Sequence, residues 1–450
     1  MKRLIILTLC FMFLLATACG NNDLLDPKNP VTITLWHTYG QLMNESMGAL
    51  VDEFNSTVGL ERGIIVQTTY IADAAEVNEK LLMTARGDPG APELPDIALI
   101  YPRIGITLAQ HGLLVDLSTQ FSESELSQYV PEFIEEGKFG GETLYLLPIA
   151  KSTEVLYLNT IMFDRFANDT GVGYHHLATP EGIQEAALLY FEWSDGKAFF
   201  YPDNLFNFSM VGFSQLGDDF LAGNRLNLES PVFQRIWDAY YPLAVRGGNA
   251  IFDNYGTLLM ASGEVVCILG TSASLTFFSD MVTFADNTKE QLELSILPYP
   301  VFEGGEQVVI QRGGGFSIFK SDSRREHAAG VFLKWLTAPE QNLRFTTQTG
   351  YMPVTTEAYS GFLDSVHERV TDERLIKLYE TILYMQNDYS FFIPPVFDGF
   401  EEIQRNYIQA FRRAAEISRR EYLNLIETEG PDRAYEIVSR GVLEQFVADG

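Results

Sequence analysis

Branched apolar residues alternate with threonine over Val31-Thr32-Ile33-Thr34-Leu35-Trp36, the period of a strand with one face buried. Directly after it, Met43, Met47, Leu50, Val51 and Phe54 recur at helical spacing, and Gly59 supplies a stop. Residues 64–71 read as a second strand, 77–85 as a second helix and 96–101 as a third strand. A βαβαβ opening predicts a mainly parallel sheet with helices on both faces, because each parallel pair needs a crossover long enough to hold a helix.

The pattern then breaks and resumes. Residues 144–158 hold two short apolar runs around Pro148, 161–263 mix polar and aromatic positions in several helices, and 265–269, 294–297 and 315–319 are again strand-like. Ser323 and Glu326 have capping-box spacing, opening a helix that would bury Ala328, Val331, Phe332, Trp335 and Leu336. The last hundred residues read as helix, with Ile403, Tyr407, Phe411 and Ala414 on one stripe, a break at Gly430-Pro431, and Ala434, Val438, Val442 and Phe446 on another. With 450 residues the chain exceeds the usual single-domain size, so two domains are expected.

The first residues change the picture of where the chain works. Lys2 and Arg3 precede an apolar run over 4–15, and Ala16-Thr17-Ala18-Cys19-Gly20 supplies small residues before a cysteine. This reads as a lipoprotein export signal over 1–18, lipid on Cys19 and a polar tether over 19–30. The run is too short to remain as a membrane span. Ala-x-Ala also suits ordinary signal peptidase, so a freely secreted chain cut after Ala18 is the competing reading. After cleavage the remaining cysteines are Cys19 and Cys267, so lipid on Cys19 leaves no intrachain disulfide. With 31 basic and 60 acidic residues the net charge is −29, which excludes a nucleic-acid binder because phosphates demand a basic face.

Four segments carry a resemblance: ITLWHTYG, LYLLPIAKSTEVLYLNTIMF, SGEVVCILGTSASL and GGGFSIFKSDSRREHAAGVFLKWLTAPEQNLRFTTQTGYMPV. In this order and spacing they resemble the extracellular solute-binding proteins of ABC importers, in the group that binds oligosaccharides and glycerol phosphates. The resemblance implies a two-lobed α/β fold of periplasmic-binding-protein type, each lobe a mainly parallel sheet, with ligand in the cleft between lobes. It implies three crossings between lobes, expected near 148–153, 263–271 and 313–319. Lobe one would then be 31–149 plus 267–315, and lobe two 150–266 plus 316–450. It also implies a monomer with no cofactor, no catalytic role, a small carbohydrate as ligand and the membrane subunits of an importer as partners.

Candidate ligand residues follow from sugar chemistry, since apolar C–H faces call for flat rings and hydroxyl rims for planar, multiply bonding groups. Trp36 and Tyr39 follow the first strand, at the end where open α/β sheets bind ligand. From the resemblance, Tyr70, Tyr101, Ser152, Glu154, Ser272 and Tyr351 match positions at or closing over ligand, and Gly314 lies in a triple glycine that lets backbone approach it. Phe397 and Asp398 stand where glycerol-phosphate binders carry an arginine, so a neutral sugar is expected and a glycerol phosphate or its diester is the alternative. A secreted glycan hydrolase is the competing class, needing two carboxylates at a set separation. His175-His176 are adjacent, without further ligands at metal spacing, and read as loop residues.

Overall fold

The computed structural model describes residues 24–139, 141–397 and 399–449. The export signal, Cys19 and Asp398 fall outside the described residues. In chain order the strands that build the site are β1 (Val31–His37), β2 (Ile64–Tyr70), β3 (Ile97–Ile100), β4 (Leu147–Pro148), β5 (Glu154–Asn159), β6 (Phe200–Pro202), β7 (Cys267–Thr271), β8 (Leu294–Leu297), β9 (Val308–Ile310), β10 (Gly315–Ile318) and β11 (Ser390–Phe392).

Two sheets form two lobes. The first has the order β2-β1-β3-β10-β4 and the second β8-β5-β7-β6. β1 runs parallel to β2 and β3, while β10 is antiparallel to both β3 and β4. In the second sheet β6 and β7 are parallel, and β5 is antiparallel to β7 and β8. Each sheet thus has one reversed strand, and it is the strand by which the chain enters that lobe from the other. The carboxyl ends of β1, β2 and β3 therefore meet those of β6 and β7 at the gap between sheets, where β5 and β10 begin.

Alternation along β3 divides lobe one into two cores. Ile97 and Leu99 join Ile33, Leu35 and Val66 on one face, and Ala98 and Ile100 join Val77, Leu81, Ile104 and Leu108 on the other, as the two-residue period of a strand requires. Lobe two is built around β5, all six of whose residues are buried. The helix Ser323–Leu336 packs on β1, with Asp322 as its cap in place of the expected Ser323: the Asp322 carboxylate accepts from the backbone of Arg324 and Arg325.

The expected division of the chain is corrected in two places. β7 and β8 pair with β5 in lobe two, so 267–310 belongs there rather than to lobe one, and there is no crossing at 263–271. β10 lies in the first sheet and carries the helices Ser323–Leu336 and Pro339–Thr346 with it, while the helix Glu373–Asp388 packs on β8. The third crossing is therefore in the helical stretch 361–372. A short apolar run has the same composition in either sheet, so only pairing reveals which one it joins.

The expected tether is shorter than 19–30. Leu25 is buried in the main core, Arg324 donates to the carbonyl of Asn29, and Val31 N–H donates to the carbonyl of Gly63 at 2.9 Å. Gly63 has φ +74°, and a Cβ there would lie 2.3 Å from the carbonyl oxygen of Asp26. Only glycine suits both that dihedral and that approach, so 25–30 is fixed to lobe one.

Candidate functional site

Two of the three crossings run side by side and form the floor of the cleft. Ser152 and Arg312 exchange backbone hydrogen bonds of 2.9 and 2.8 Å, and Lys151 and Met352 do the same at 3.2 and 2.6 Å. Thr153 Oγ1 donates to the Ile310 carbonyl at 2.8 Å, and Ser272 N–H donates to the Thr153 carbonyl, also at 2.8 Å. These main-chain groups already have partners within the floor, so ligand meets mainly the side chains there.

Those side chains form two charged clusters. Glu154, at the start of β5, accepts from Arg312 Nη1 at 2.9 Å and Asn207 Nδ2 at 2.8 Å. Burial raises its pKa, and Arg312 and Asn207 pull it back. Asp203 follows β6 and accepts from Gly256 N–H at 2.7 Å. A Cβ on Gly256 or Gly270 would come within 2.8 or 2.7 Å of its oxygens, so two glycines make room for this carboxylate. Burial lifts Asp203 to about 6, with Glu154 adding to the rise. In the second cluster Lys151, almost wholly buried, places Nζ 2.7 Å from Glu136 Oε2, and Gln311 donates to the same oxygen.

Above this floor lies a cavity of about 210 Å³. Tyr101, Arg103 and Glu136 bound it from lobe one, and Asn204, Asn207, Phe400 and Gln404 from lobe two. Arg103 forms an ion pair with Glu401 across the gap. Burial and Tyr101 push the Tyr351 hydroxyl up while Arg312 pulls it down, which puts the three groups in one electrostatic environment. The arrangement pairs rings with amides, guanidinium groups and carboxylates, which can bind a hydroxylated ring from both sides. Larger hollows of about 580 and 590 Å³ flank the helix Phe400–Glu429, away from the strand ends where open α/β sheets bind ligand.

The expected ligand residues separate into groups. Tyr101, Glu154 and Tyr351 come together at the cleft, as just described. Tyr70 is 45 % exposed, with its ring 6.1 Å from that of the buried His37, whose pKa burial lowers to about 4. Tyr39 is buried, its ring 5.1 Å from Phe345 and 6.2 Å from Tyr351, so it backs the cleft rather than lining it. Trp36 packs on the second core of lobe one, the face opposite to Leu35. Ser152 is buried in the first crossing and Ser272 in lobe two beside it; Ser272 Oγ accepts from Thr153 N–H at 3.4 Å and its carbonyl from Tyr157 at 3.1 Å. Gly314 is buried, and a Cβ there would lie 2.5 Å from the Ile100 carbonyl oxygen, so its space is filled by β3. Phe397 is half-buried with its ring 5.6 Å from Phe400.

Sequence reasoning missed Asp203, Asn204, Asn207, Glu136 and Gln311. The signal for Asp203 and Asn204 was present, a polar pair immediately after the strand Phe200–Pro202, and Asn207 follows in the first turn of the next helix. Glu136 lies in an acidic stretch, Glu135-Glu136, that reads as solvated surface.

Solved structures share this architecture along nearly all of the chain. A cyclic α-maltosyl-1,6-maltose binding protein from Arthrobacter globiformis has 19 % identity and TM-score 0.69, with 93 % of this chain and 100 % of that one covered. An ABC substrate-binding protein from Listeria monocytogenes, in complex with cycloalternan, has 15 % identity and TM-score 0.67 over 94 % and 99 % of the two chains. UgpB from Mycobacterium tuberculosis, in complex with glycerophosphocholine, has 16 % identity and TM-score 0.65 over 93 % and 98 %. No functionally curated protein matches the sequence. The family model of bacterial extracellular solute-binding proteins matches residues 49–371, well over half of the chain, and the chain belongs to that family, which works outside the cytoplasm.

Proposed function

We propose that this protein captures a neutral sugar or oligosaccharide in the cleft and hands it to the membrane subunits of an ABC importer, performing no chemistry on it. One observation carries the choice of a neutral ligand: both guanidinium groups that line the cavity are already paired, Arg103 with Glu401 and Arg312 with Glu154. An enclosed phosphate would have to share Arg312 with the buried Glu154 carboxylate, whose negative charge opposes it, while Arg103 is already engaged by the more exposed Glu401. A neutral hydroxyl rim meets the same groups without that opposition, through Asn204, Asn207, Gln404 and the open edges of the paired charges. Sugar-binding structural neighbours support the reading. The glycerophosphocholine complex among them favours the alternative of a glycerol phosphate diester. Lipid on Cys19 would hold the protein, as a monomer, at the outer face of the cell membrane.

Calorimetry against maltose, maltotriose, mannotriose, glycerol 3-phosphate and glycerophosphocholine tests this. Micromolar binding, ~8 kcal/mol, to at least one neutral sugar is expected, with the sugar recovered unchanged. Binding confined to the phosphate esters would overturn the neutral-ligand reading, and recovery of cleaved sugar would make the protein a hydrolase.

A further inference from the structure

We infer that Glu136 is a specificity-determining carboxylate of the cleft, accepting a hydroxyl of the ligand on Oε1 while Lys151 and Gln311 hold Oε2. This rests on the carbohydrate reading and goes beyond it by naming the group that discriminates.

The argument begins from an asymmetry. Glu136 is more than nine-tenths buried at its side chain and lines the cavity. Its Oε2 takes two donors, Lys151 Nζ at 2.7 Å and the Gln311 amide. No described residue donates to Oε1. Lys151 is in turn fixed by a second bond of 3.2 Å to the Gly313 carbonyl and by its backbone exchange with Met352. The carboxylate is therefore oriented by two side chains from the crossings, while one of its oxygens remains available.

Charge decides what that oxygen can take. The Lys151 ammonium already balances the carboxylate, so a second cation would be in excess, whereas a neutral O–H adds a charge-assisted hydrogen bond without changing the balance. Glu136 Oε1 is not among the buried unpartnered atoms, so it is open to the cavity that Glu136 lines. Gln311 adds to the polarity of this corner, with its own Oε1 buried and unpartnered.

A purely structural reading has Glu136 present only to neutralise Lys151. Titration of the tightest binder among maltose, maltotriose and mannotriose, and of its monodeoxy analogues, separates the two. In the wild type one deoxy position is expected to lose ~10–100-fold in affinity, the range of a hydrogen bond to a charged group. In Glu136→Gln the parent sugar loses a comparable factor, and the penalty at that one position shrinks while the others stay. Should the stranded Lys151 ammonium unfold that variant, Glu136→Gln/Lys151→Met removes the cation and keeps the same readout. Unchanged affinity and an unchanged deoxy profile in a folded variant would refute the inference and leave the sugar reading standing. Absence of binding to every sugar by the wild type would overturn both.

Discussion

Replacing Asp203 with asparagine should stabilise the protein at pH 8 and leave it unchanged near pH 4. The Asp203 carboxyl sits between Gly256 and Gly270 with a single donor among the described residues, the Gly256 N–H at 2.7 Å, and burial lifts it from 3.8 to about 6. A difference of that size corresponds to ~3 kcal/mol between the two protonation states. Because the folded value lies above the unfolded one, the stabilising contribution is fully present below pH 3.8 and is lost as pH rises through 6. Asparagine keeps the oxygen that accepts from Gly256 and never ionises, so it avoids that loss. The variant should gain up to ~3 kcal/mol over the wild type at pH 8, roughly 6–12 °C for a lobe of 150–250 residues. The assay is thermal unfolding followed by circular dichroism from pH 4 to pH 8, plotted as variant minus wild type. The difference should climb between pH 4 and 7 and then level off. A difference that does not vary with pH, or a variant less stable at pH 8, would show that Asp203 is solvated or paired in the folded protein.

Two further substitutions address the frame and the anchor. Gly314→Ala would put a methyl group 2.5 Å from the Ile100 carbonyl oxygen and should cost ~1–3 kcal/mol by forcing β3 and β10 apart; a melting temperature equal to the wild type would show that the crossing yields freely. Cys19→Ser should move the protein from the detergent phase to the aqueous phase on Triton X-114 partitioning without altering its circular dichroism, and unchanged partitioning would exclude lipid at that residue.

Sequence made the frame of this protein readable wherever local physics sets it. β1 could be read from its alternation, because strand period is a property of neighbouring residues, whereas the crossings expected near 148–153 and 313–319 came from the family resemblance. The sheet that β7 joins could not be read, since Cys267-Ile268-Leu269 would be equally at home beside β3, and only long-range pairing puts it beside β5. Within the site the same division holds. Tyr101 and Tyr351, expected from the resemblance, follow a strand end and a helix stop and lie near each other at the cleft. Trp36 was drawn to the cleft by proximity in sequence, yet its position next to Leu35 sends it to the opposite face of the sheet. Glu136 meets Lys151 fifteen residues on and Gln311 across the whole of lobe two, separations at which charge in a sequence reads as surface.

The burial of Leu25 fixes more than a chain end. With lipid on Cys19, only residues 20–24 lie between the membrane and lobe one, a leash of at most ~20 Å when fully stretched. It attaches where β1 begins, and the cleft opens where β1 ends, ~23 Å further along a seven-residue strand. Such a link would confine the protein to a thin layer over the bilayer and give it a high effective concentration toward a membrane partner within reach. The confinement also has a direction. A lipid leash would draw the end of lobe one where β1 begins toward the bilayer and leave the mouth of the cleft on the far side, so delivery to a membrane partner would call for the molecule to tip over.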